Sequence, residues 1–211
     1  MKTRISFALF STVVFLSACA SFQAGTEVTA GRQAFLMGNN EAALSYFQRA
    51  AQKDPNYTYG TALRQGIWSY IGRAEYATGK YPQARQSLER ALSQDSQDNM
   101  ARLYLGFTLA RGGDQQTGLL EIQNAMKGLY DSIEHITQVH RFSFGRFWDA
   151  RREIRSEIQS DLAMISGKEV DWQKLITDGE WLGKRVEKEI DLAREDEAAE
   201  FRRQGGDGNQ R

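Results

Sequence analysis

Apolar residues recur at helical spacing along much of the chain, and this pattern predicts an all-α protein. The clearest stretch lies between residues 147 and 165, where charged residues separate a regular series of apolar ones: Phe147, Ile154, Ile158, Leu162 and Ile165. Proline, which breaks helices, occurs only at Pro55 and Pro82. The chain therefore has few barriers to continuous helix.

A second helical stretch begins near Val170 or Asp171, and Asp171 is a suitable N-cap. Gly179 and Gly183 interrupt its apolar pattern, so we expect it to break into two helices. Residues 187–203 are dense in charge, which favours a solvated, projecting helix end. We expect residues 204–211 to be a disordered tail. The apolar positions of the second stretch are Trp172, Leu175, Ile176, Trp181, Leu182, Val186 and Ile190.

The first 18 residues have the build of a secretory signal peptide. Lys2 and Arg4 precede an apolar run, Ile5 to Leu16, that is shorter than the roughly 20 residues needed to span a bilayer as a helix. The run ends in Leu16-Ser17-Ala18-Cys19, which resembles the lipobox of bacterial lipoproteins. The alternative is an ordinary signal peptide with a chance cysteine.

The lipobox resemblance implies cleavage before Cys19 and lipidation of that cysteine. Residue 20 is alanine rather than aspartate, which in the sorting of such lipoproteins implies the bacterial outer membrane. We therefore expect a lipid-anchored protein that faces the periplasm. Residues 19–26 are predicted to be a tether between the lipid and the folded part.

Composition argues against several classes of function. Lys plus Arg and Asp plus Glu each number 27, so the chain lacks the basic surplus of a general nucleic-acid binder. One cysteine and two histidines exclude a multi-cysteine metal cluster and leave little for zinc. No catalytic constellation or phosphate-binding glycine loop is recognisable. The sequence predicts no enzyme activity, cofactor or metal.

Several residues repeat at a fixed spacing of 34. The pairs are Gly72 and Gly106, Gly79 and Gly113, Leu88 and Ile122, and Ala91 and Ala125. An earlier unit aligns with the second at a spacing of 41, through Gly31, Gly38, Ala43, Phe47 and Ala50. We place the excess of the first spacing in the stretch of residues 56–61, before a helix that begins at Ala62.

A period of 34 resembles that of the tetratricopeptide repeat, a helical hairpin. The second unit is most similar to that family. Gly72 and Ala84 are small where two helices must approach closely, and Gly79 ends the first helix with a left-handed backbone. Glu75 departs from the family, which usually has an aromatic residue there, and Gly118 replaces an expected alanine in the third unit. The resemblance implies about three hairpins at residues 27–127, stacked as a short solenoid.

Stacked hairpins form a concave groove lined by the first helix of each unit. The resemblance implies that this groove binds a protein or peptide partner. The family's basic carboxylate clamp is not recognisable here. We expect the groove to be lined by Arg32, Phe35, Ser69, Arg73, Tyr76, Leu103, Phe107 and Arg111.

Residues 128–203 are predicted to be a helical extension. A solenoid needs its terminal apolar face covered, so the segment of residues 140–195 is expected to act as a cap. It begins near a cluster of aromatic residues that are also suited to an interface: Phe142, Phe144, Phe147 and Trp148. Two hypotheses follow. The chain is an adaptor that uses its groove to assist assembly of an envelope complex, or an obligate structural subunit that docks through the aromatic region.

Overall fold

The computed structural model describes residues 3–60, 62–167 and 169–207. At residues 3–19, 197, 200, 201 and 204–207, only the backbone is described. The described part is an all-α structure, as predicted, with one short pair of strands. Its elements in chain order are α1 (Thr3–Leu36), α2 (Asn40–Lys53), β1 (Thr58–Tyr59), β2 (Gln65–Gly66), α3 (Ile67–Ala77), α4 (Tyr81–Gln94), α5 (Asn99–Arg111), α6 (Gln115–Val139), a 3₁₀ turn (Phe144–Phe147), α7 (Glu153–Ile165) and α8 (Trp172–Asp207).

Helices α1 to α6 form three consecutive hairpins, each closed by a glycine in its first helix. A Cβ atom on Gly31 would lie 2.5 Å from the Phe47 ring, and one on Gly72 would lie 2.5 Å from Leu88. One on Gly106 would lie 2.6 Å from Ile122. The same contact therefore recurs in all three units, sixteen residues along the chain each time. A Cβ atom on Gly72 would also lie 3.2 Å from the Ala84 carbonyl oxygen, so these two residues lie at a close helix crossing, as the sequence predicted.

Gly118, the weak match in the third unit, also has a packing role. A Cβ atom there would lie 2.7 Å from the Gly106 carbonyl oxygen. Two glycines face each other across the α5–α6 crossing, so the backbones approach closely. The third unit thus replaces alanine with a smaller residue at this close crossing.

A left-handed glycine ends the first helix of each hairpin. The φ angles are +80° at Gly38, +75° at Gly79 and +96° at Gly113, a region that only glycine adopts cheaply. In the second unit the Gly79 N–H donates to the Tyr76 carbonyl and the Lys80 N–H to the Glu75 carbonyl, at 3.0 and 2.8 Å. These bonds satisfy carbonyl groups at the helix end. The prediction for Gly79 is confirmed.

The extra residues between the first two hairpins form a small β-ladder rather than helix. Tyr59 pairs with Gln65 across the antiparallel strands β1 and β2. Gly60 turns the chain with φ of +91°. Helix α3 consequently begins at Ile67, so the prediction of a helix from Ala62 was wrong. The ladder presents Tyr59 and Gln65, both buried, to the interior.

The predicted tether is part of a helix. Helix α1 runs through residues 20–26, and Ala24 is fully buried, one turn before the equally buried Val28. A Cβ atom on Gly25 would lie 2.8 Å from the Tyr57 hydroxyl. This segment therefore packs closely within the fold, and the tether prediction was wrong. No helix of the described residues is long and apolar enough to cross a membrane.

The C-terminal extension covers the end of the solenoid, as predicted, but it is organised differently. Helix α6 continues unbroken to Val139, so the expected boundary at residues 127–128 falls inside a helix. Helix α7 packs against α6 and buries Ile154 and Ile158. Helix α8 then returns towards α1 and α5.

Helix α8 overturns three expectations. It is one continuous helix where two were predicted around Gly179 and Gly183. Its charged part does not simply project, because Glu187, Glu189, Ile190 and Ala193 are buried. It also continues to Asp207, whereas a disordered tail was expected from residue 204. Residues 208–211 lie outside the described part.

The glycine contacts predict a sharp response to one added methyl group. Gly106→Ala should lower the free energy of unfolding by about 1–3 kcal/mol, because the new Cβ would meet backbone of α6 as well as Ile122. Gly66→Ala is a matched control, since a Cβ there meets nothing within 4 Å and φ is −75°. It should change stability by less than about 0.5 kcal/mol. Urea unfolding followed by circular dichroism measures both, and equal stability of the two variants would contradict this account.

Candidate functional site

The concave face holds most of the side chains predicted to line a binding groove, but the chain's own helix α8 lies over them. Arg32, Phe35, Arg73, Tyr76 and Phe107 are each at most 5% exposed. Leu103 and Ser69 are fully buried. Arg111 keeps 40% of its side chain exposed. The expectation of an open groove was therefore wrong along most of its length.

Ser69 does not lie with the other predicted binding residues but contacts the start of α5. Its hydroxyl donates to Asp98 Oδ1 at 3.3 Å, and Asp98 also accepts from the Ala101 N–H at 2.9 Å. Asp98 is thus the N-cap of α5. Burial raises the pKa of Asp98 to about 6, although these hydrogen bonds oppose the shift. Ser69 supports the seam between α3 and α5 and has no exposed surface.

Two glycines let α8 lie close to the repeat helices. A Cβ atom on Gly179 would lie 2.1 Å from the Phe107 ring. One on Gly183 would lie 2.4 Å from the Tyr104 hydroxyl. The two glycines are four residues apart, so they share one face of the helix. They interrupt the apolar pattern because aromatic rings of α5 fill the space that side chains would take.

Glu187 is the centre of a buried polar network between α8 and the repeats. Its Oε2 accepts from Arg32 Nε at 2.6 Å, and its Oε1 accepts from Arg73 Nη1 at 2.5 Å. Gln65 Nε2 donates to Oε1 at 3.1 Å, and the Tyr70 hydroxyl donates to Oε2 at 3.4 Å. Glu187 is 1% exposed. One carboxylate on α8 thereby joins α1, β2 and α3.

The two arginines are fixed by further contacts. Arg32 donates to the Glu187 carbonyl at 3.0 Å and to both Asp191 and the Tyr59 hydroxyl at 2.8 Å. Arg73 donates to Gln65 Oε1 at 2.5 Å and to the Gly183 carbonyl at 3.3 Å. Arg73 Nε is buried with no hydrogen-bond partner among the described residues. Its guanidinium lies 5.1–5.5 Å from three ring centres, which stabilise the charge: Phe35, Tyr70 and Tyr104.

The electrostatics of the network favour the charged forms of Glu187, Arg32 and Arg73. Burial alone would raise the pKa of Glu187, but the charges and hydrogen bonds of Arg73 and Arg32 outweigh it, so the pKa is lowered. Burial alone would lower the pKa of each arginine, and Glu187 reverses that shift as well. The arrangement is a buried ion cluster with a structural role.

An open cleft remains where the groove reaches the hairpin turns. It measures about 420 Å³ and includes three of the predicted binding residues, Phe35, Tyr76 and Arg111. Arg111 Nε donates to the Tyr76 hydroxyl at 2.9 Å, and that hydroxyl donates to Glu180 Oε1 at 3.0 Å. The cleft lining is completed by Asn40, Ala77, Thr78, Gly79, Tyr81, Tyr104, Glu180 and Lys184.

The cleft combines aromatic faces with exposed cations. The Arg111 guanidinium lies 5.6 Å from the Tyr76 ring centre and 5.8 Å from that of Tyr81. Burial is the main cause that raises the pKa of Tyr76, so its hydroxyl stays protonated and can bridge Arg111 to Glu180. Such a surface suits a peptide that carries both an apolar side chain and a carboxylate.

The aromatic region before α7 is only partly exposed. Trp148 is buried in the core, and Phe144 stacks on His140 with ring centres 4.3 Å apart. Phe142 is 84% exposed, and the neighbouring Val139 is 58% exposed. The side chain of Cys19, the predicted lipidation site, lies outside the described part.

Replacement of the central carboxylate should destabilise the fold strongly. Glu187→Gln leaves Arg32 and Arg73 buried without a full counter-charge, so the free energy of unfolding should fall by about 3–5 kcal/mol at pH 7. Glu195→Gln removes an exposed charge from the same helix and should cost less than about 0.5 kcal/mol. Urea unfolding at pH 7 compares the two, and a near-neutral Glu187→Gln would refute the central role of this residue.

The lowered pKa of Glu187 predicts how the stability of the protein depends on pH. The pKa of folded Glu187 lies below the ordinary 4.5, so its contribution is present above pH 4.5 and is lost as pH falls through the folded pKa. As the pH falls below 4.5, the free energy of unfolding should therefore decrease more for the wild type than for Glu187→Gln. Parallel unfolding curves for the two proteins across that range would contradict the assignment.

Comparison with known families supports the reading of the hairpins. Residues 34–106 match the family model of the tetratricopeptide repeat. This range extends from the end of α1 to the middle of α5. No curated protein matches the chain. Tetratricopeptide repeats bind protein or peptide partners and are not catalytic, so a protein-interaction domain of this type is present at residues 34–106.

Proposed function

We propose that this protein is a membrane-anchored periplasmic adaptor that holds a segment of a partner protein and so assists assembly of an envelope complex. The observation that carries the proposal is the cleft at the hairpin turns, which keeps Tyr81 and Arg111 within reach of a ligand although α8 occupies the rest of the groove. The repeat domain at residues 34–106 supports protein binding rather than catalysis.

The chemistry of the cleft narrows the kind of partner. Arg111 and Lys184 supply positive charge on a wall that also carries Tyr76 and Tyr81, and Glu180 is the single acidic residue of the lining. A carboxylate would pair with Arg111 while an apolar side chain packs on the rings. Because α8 fills the remaining groove, the cleft accommodates a short segment rather than a long helix.

The anchor is proposed from the N-terminal sequence. Leu16-Ser17-Ala18-Cys19 follows an apolar run and matches the lipobox pattern, and Ala20 favours the outer membrane. Acyl chains add about 0.8 kcal/mol per buried CH₂, and two or more anchor a protein stably. The described helix α1 would then hold the repeats close to the membrane surface.

A second function is favoured by one exposed patch. Phe142 and Val139 project from the end of α6 with 84% and 58% of their surface exposed. Arg141 lies beside Phe142, with its guanidinium 4.5 Å from the ring centre. Such a patch would let the chain dock permanently, as an obligate structural subunit of the same kind of complex.

The cleft assignment predicts which variant loses its partner. Tyr81→Ala combined with Arg111→Ala should leave the fold intact, since both side chains are partly exposed, and should weaken partner binding by more than about 2 kcal/mol. Affinity purification from cell envelopes, with quantification of the recovered proteins, measures the loss. The control is Gln86→Ala with Glu89→Ala on the exposed face of α4, which should recover the same partners as wild type.

The outcome separates the two functions. If Tyr81 and Arg111 are dispensable while Val139→Ser with Phe142→Ser removes the partners, the chain docks through the end of α6 and the cleft assignment is wrong. An adaptor should also remain soluble by itself once Cys19 is replaced, whereas an obligate subunit should aggregate.

The anchor has its own test. Cys19→Ser should leave an unprocessed precursor and abolish labelling with radioactive palmitate, because the thiol is the atom that accepts the lipid. Ser17→Ala keeps a small residue before the cysteine and should be processed normally. Palmitate labelling that persists in Cys19→Ser would rule out this cysteine as the lipid site.

A further inference from the structure

Three carboxylates meet where α7 and α8 come together, away from the cleft and from Glu187. Glu157 and Asp161 are one turn apart on α7, so they share a face of that helix, and Asp178 approaches from α8. One oxygen from each of the three lies within 4.8 Å of the other two.

Asp161 is the unusual member of this group. Asp161 is 0% exposed, and both oxygens of its carboxylate are buried without a hydrogen-bond partner among the described residues. A buried carboxylate without a partner is costly, and nearly all such groups in proteins bind something. Burial, together with the negative charges of Asp178 and Glu157, raises the pKa of Asp161 to about 7.

The nearby ammonium group of Lys174 does not neutralise all three carboxylates. Lys174 pairs with Asp178 one turn away on α8, and its Nζ lies 3.6 Å from Glu157 Oε1. Lys174 is 46% exposed, so it sits at the outer rim of the group. One ammonium group faces three carboxylates, and the inner one, Asp161, has no contact with it within hydrogen-bond distance.

We propose that Glu157, Asp161 and Asp178 bind a divalent cation, for which Ca²⁺ is the best match. Carboxylate oxygens are the ligands of hard cations, and Ca²⁺ binds them at about 2.3–2.6 Å. Ligand atoms on opposite sides of such an ion are about 4.6–5.2 Å apart. The three oxygens lie within 4.8 Å of one another, so they are near the spacing that one ion requires. Mg²⁺ binds at about 2.0–2.1 Å in strict octahedral geometry and would require a tighter cluster.

Such an ion would act on the helix that fills the groove. Asp178 immediately precedes Gly179, which packs on the Phe107 ring, so the cation would fix the start of α8 at the point where it enters the concave face. Its binding would bridge α7 and α8 and stabilise the covered state of the groove. The cleft and its partner are not required for this role.

Thermal unfolding of the purified full chain tests the site directly. With about 10 mM CaCl₂ and a dissociation constant of about 1 mM, as in weak extracellular sites, Tm should rise by about 3–6 °C relative to NaCl of equal ionic strength. Asp161→Asn and Asp178→Asn should each abolish this rise. Asp131→Asn removes an exposed carboxylate from α6 and should retain it in full.

Isothermal titration with CaCl₂ decides whether the ion binds at these residues. A saturable heat with one site per chain, present in Asp131→Asn and absent in Asp161→Asn, supports the proposal. If CaCl₂ leaves the Tm of the wild type unchanged, a proton shared between Asp161 and Asp178 neutralises the cluster and the proposal is overturned. A rise of equal size in Asp161→Asn would also overturn it, since that result reflects ions spread over the acidic surface.

Discussion

The position of helix α8 depends on one buried carboxylate, Glu187, held between Arg32 and Arg73. Two buried guanidinium groups without a counter-charge would oppose folding strongly, and so would a lone buried glutamate. Together they are compatible with the interior because each oxygen and most of the N–H groups find a partner. The two arginines belong to different repeats, so the Glu187 carboxylate of α8 links those repeats directly.

This constraint changes the meaning of the concave face. In a repeat solenoid, the groove is the surface left open for a partner. Here Arg32 and Arg73 need α8 to neutralise them, and the Phe107 ring lies against Gly179. Helix α8 of the same chain therefore occupies most of the surface where a partner would otherwise bind. What stays available for another protein is the aromatic and cationic cleft around Tyr76 and Arg111, which α8 borders with Glu180 and Lys184.

The hairpins were predictable because their determinants are local. Gly72, Gly79 and Ala84 act within one unit of 34 residues, and the spacing repeats their chemistry. The partner of Arg73 was not predictable, because Glu187 is 114 residues away in a segment where charged residues are common. Gly179 and Gly183 did carry a signal, since two glycines one helical turn apart indicate close approach, but their spacing also fits a helix break. The prediction of a tether at residues 19–26 failed for a similar reason. Small residues such as Ala24 and Gly25 fit a linker and a tight helix contact equally well.

The contacts that successive residues of α8 make explain the position of the open cleft. Asp178 contacts α7, Gly179 and Gly183 lie against α5, and Glu187 reaches α1 and α3, so the helix is held at successive turns along one line. Glu180 lies on the flank of that line and turns towards Tyr76 and Arg111 instead. The Glu180 carboxylate lies 3.9 Å from Arg111 Nη2, and both side chains are at least 40% exposed, so a ligand carboxylate can reach this pair. A partner that pairs with Arg111 would therefore exchange one exposed contact and leave the buried network around Glu187 untouched.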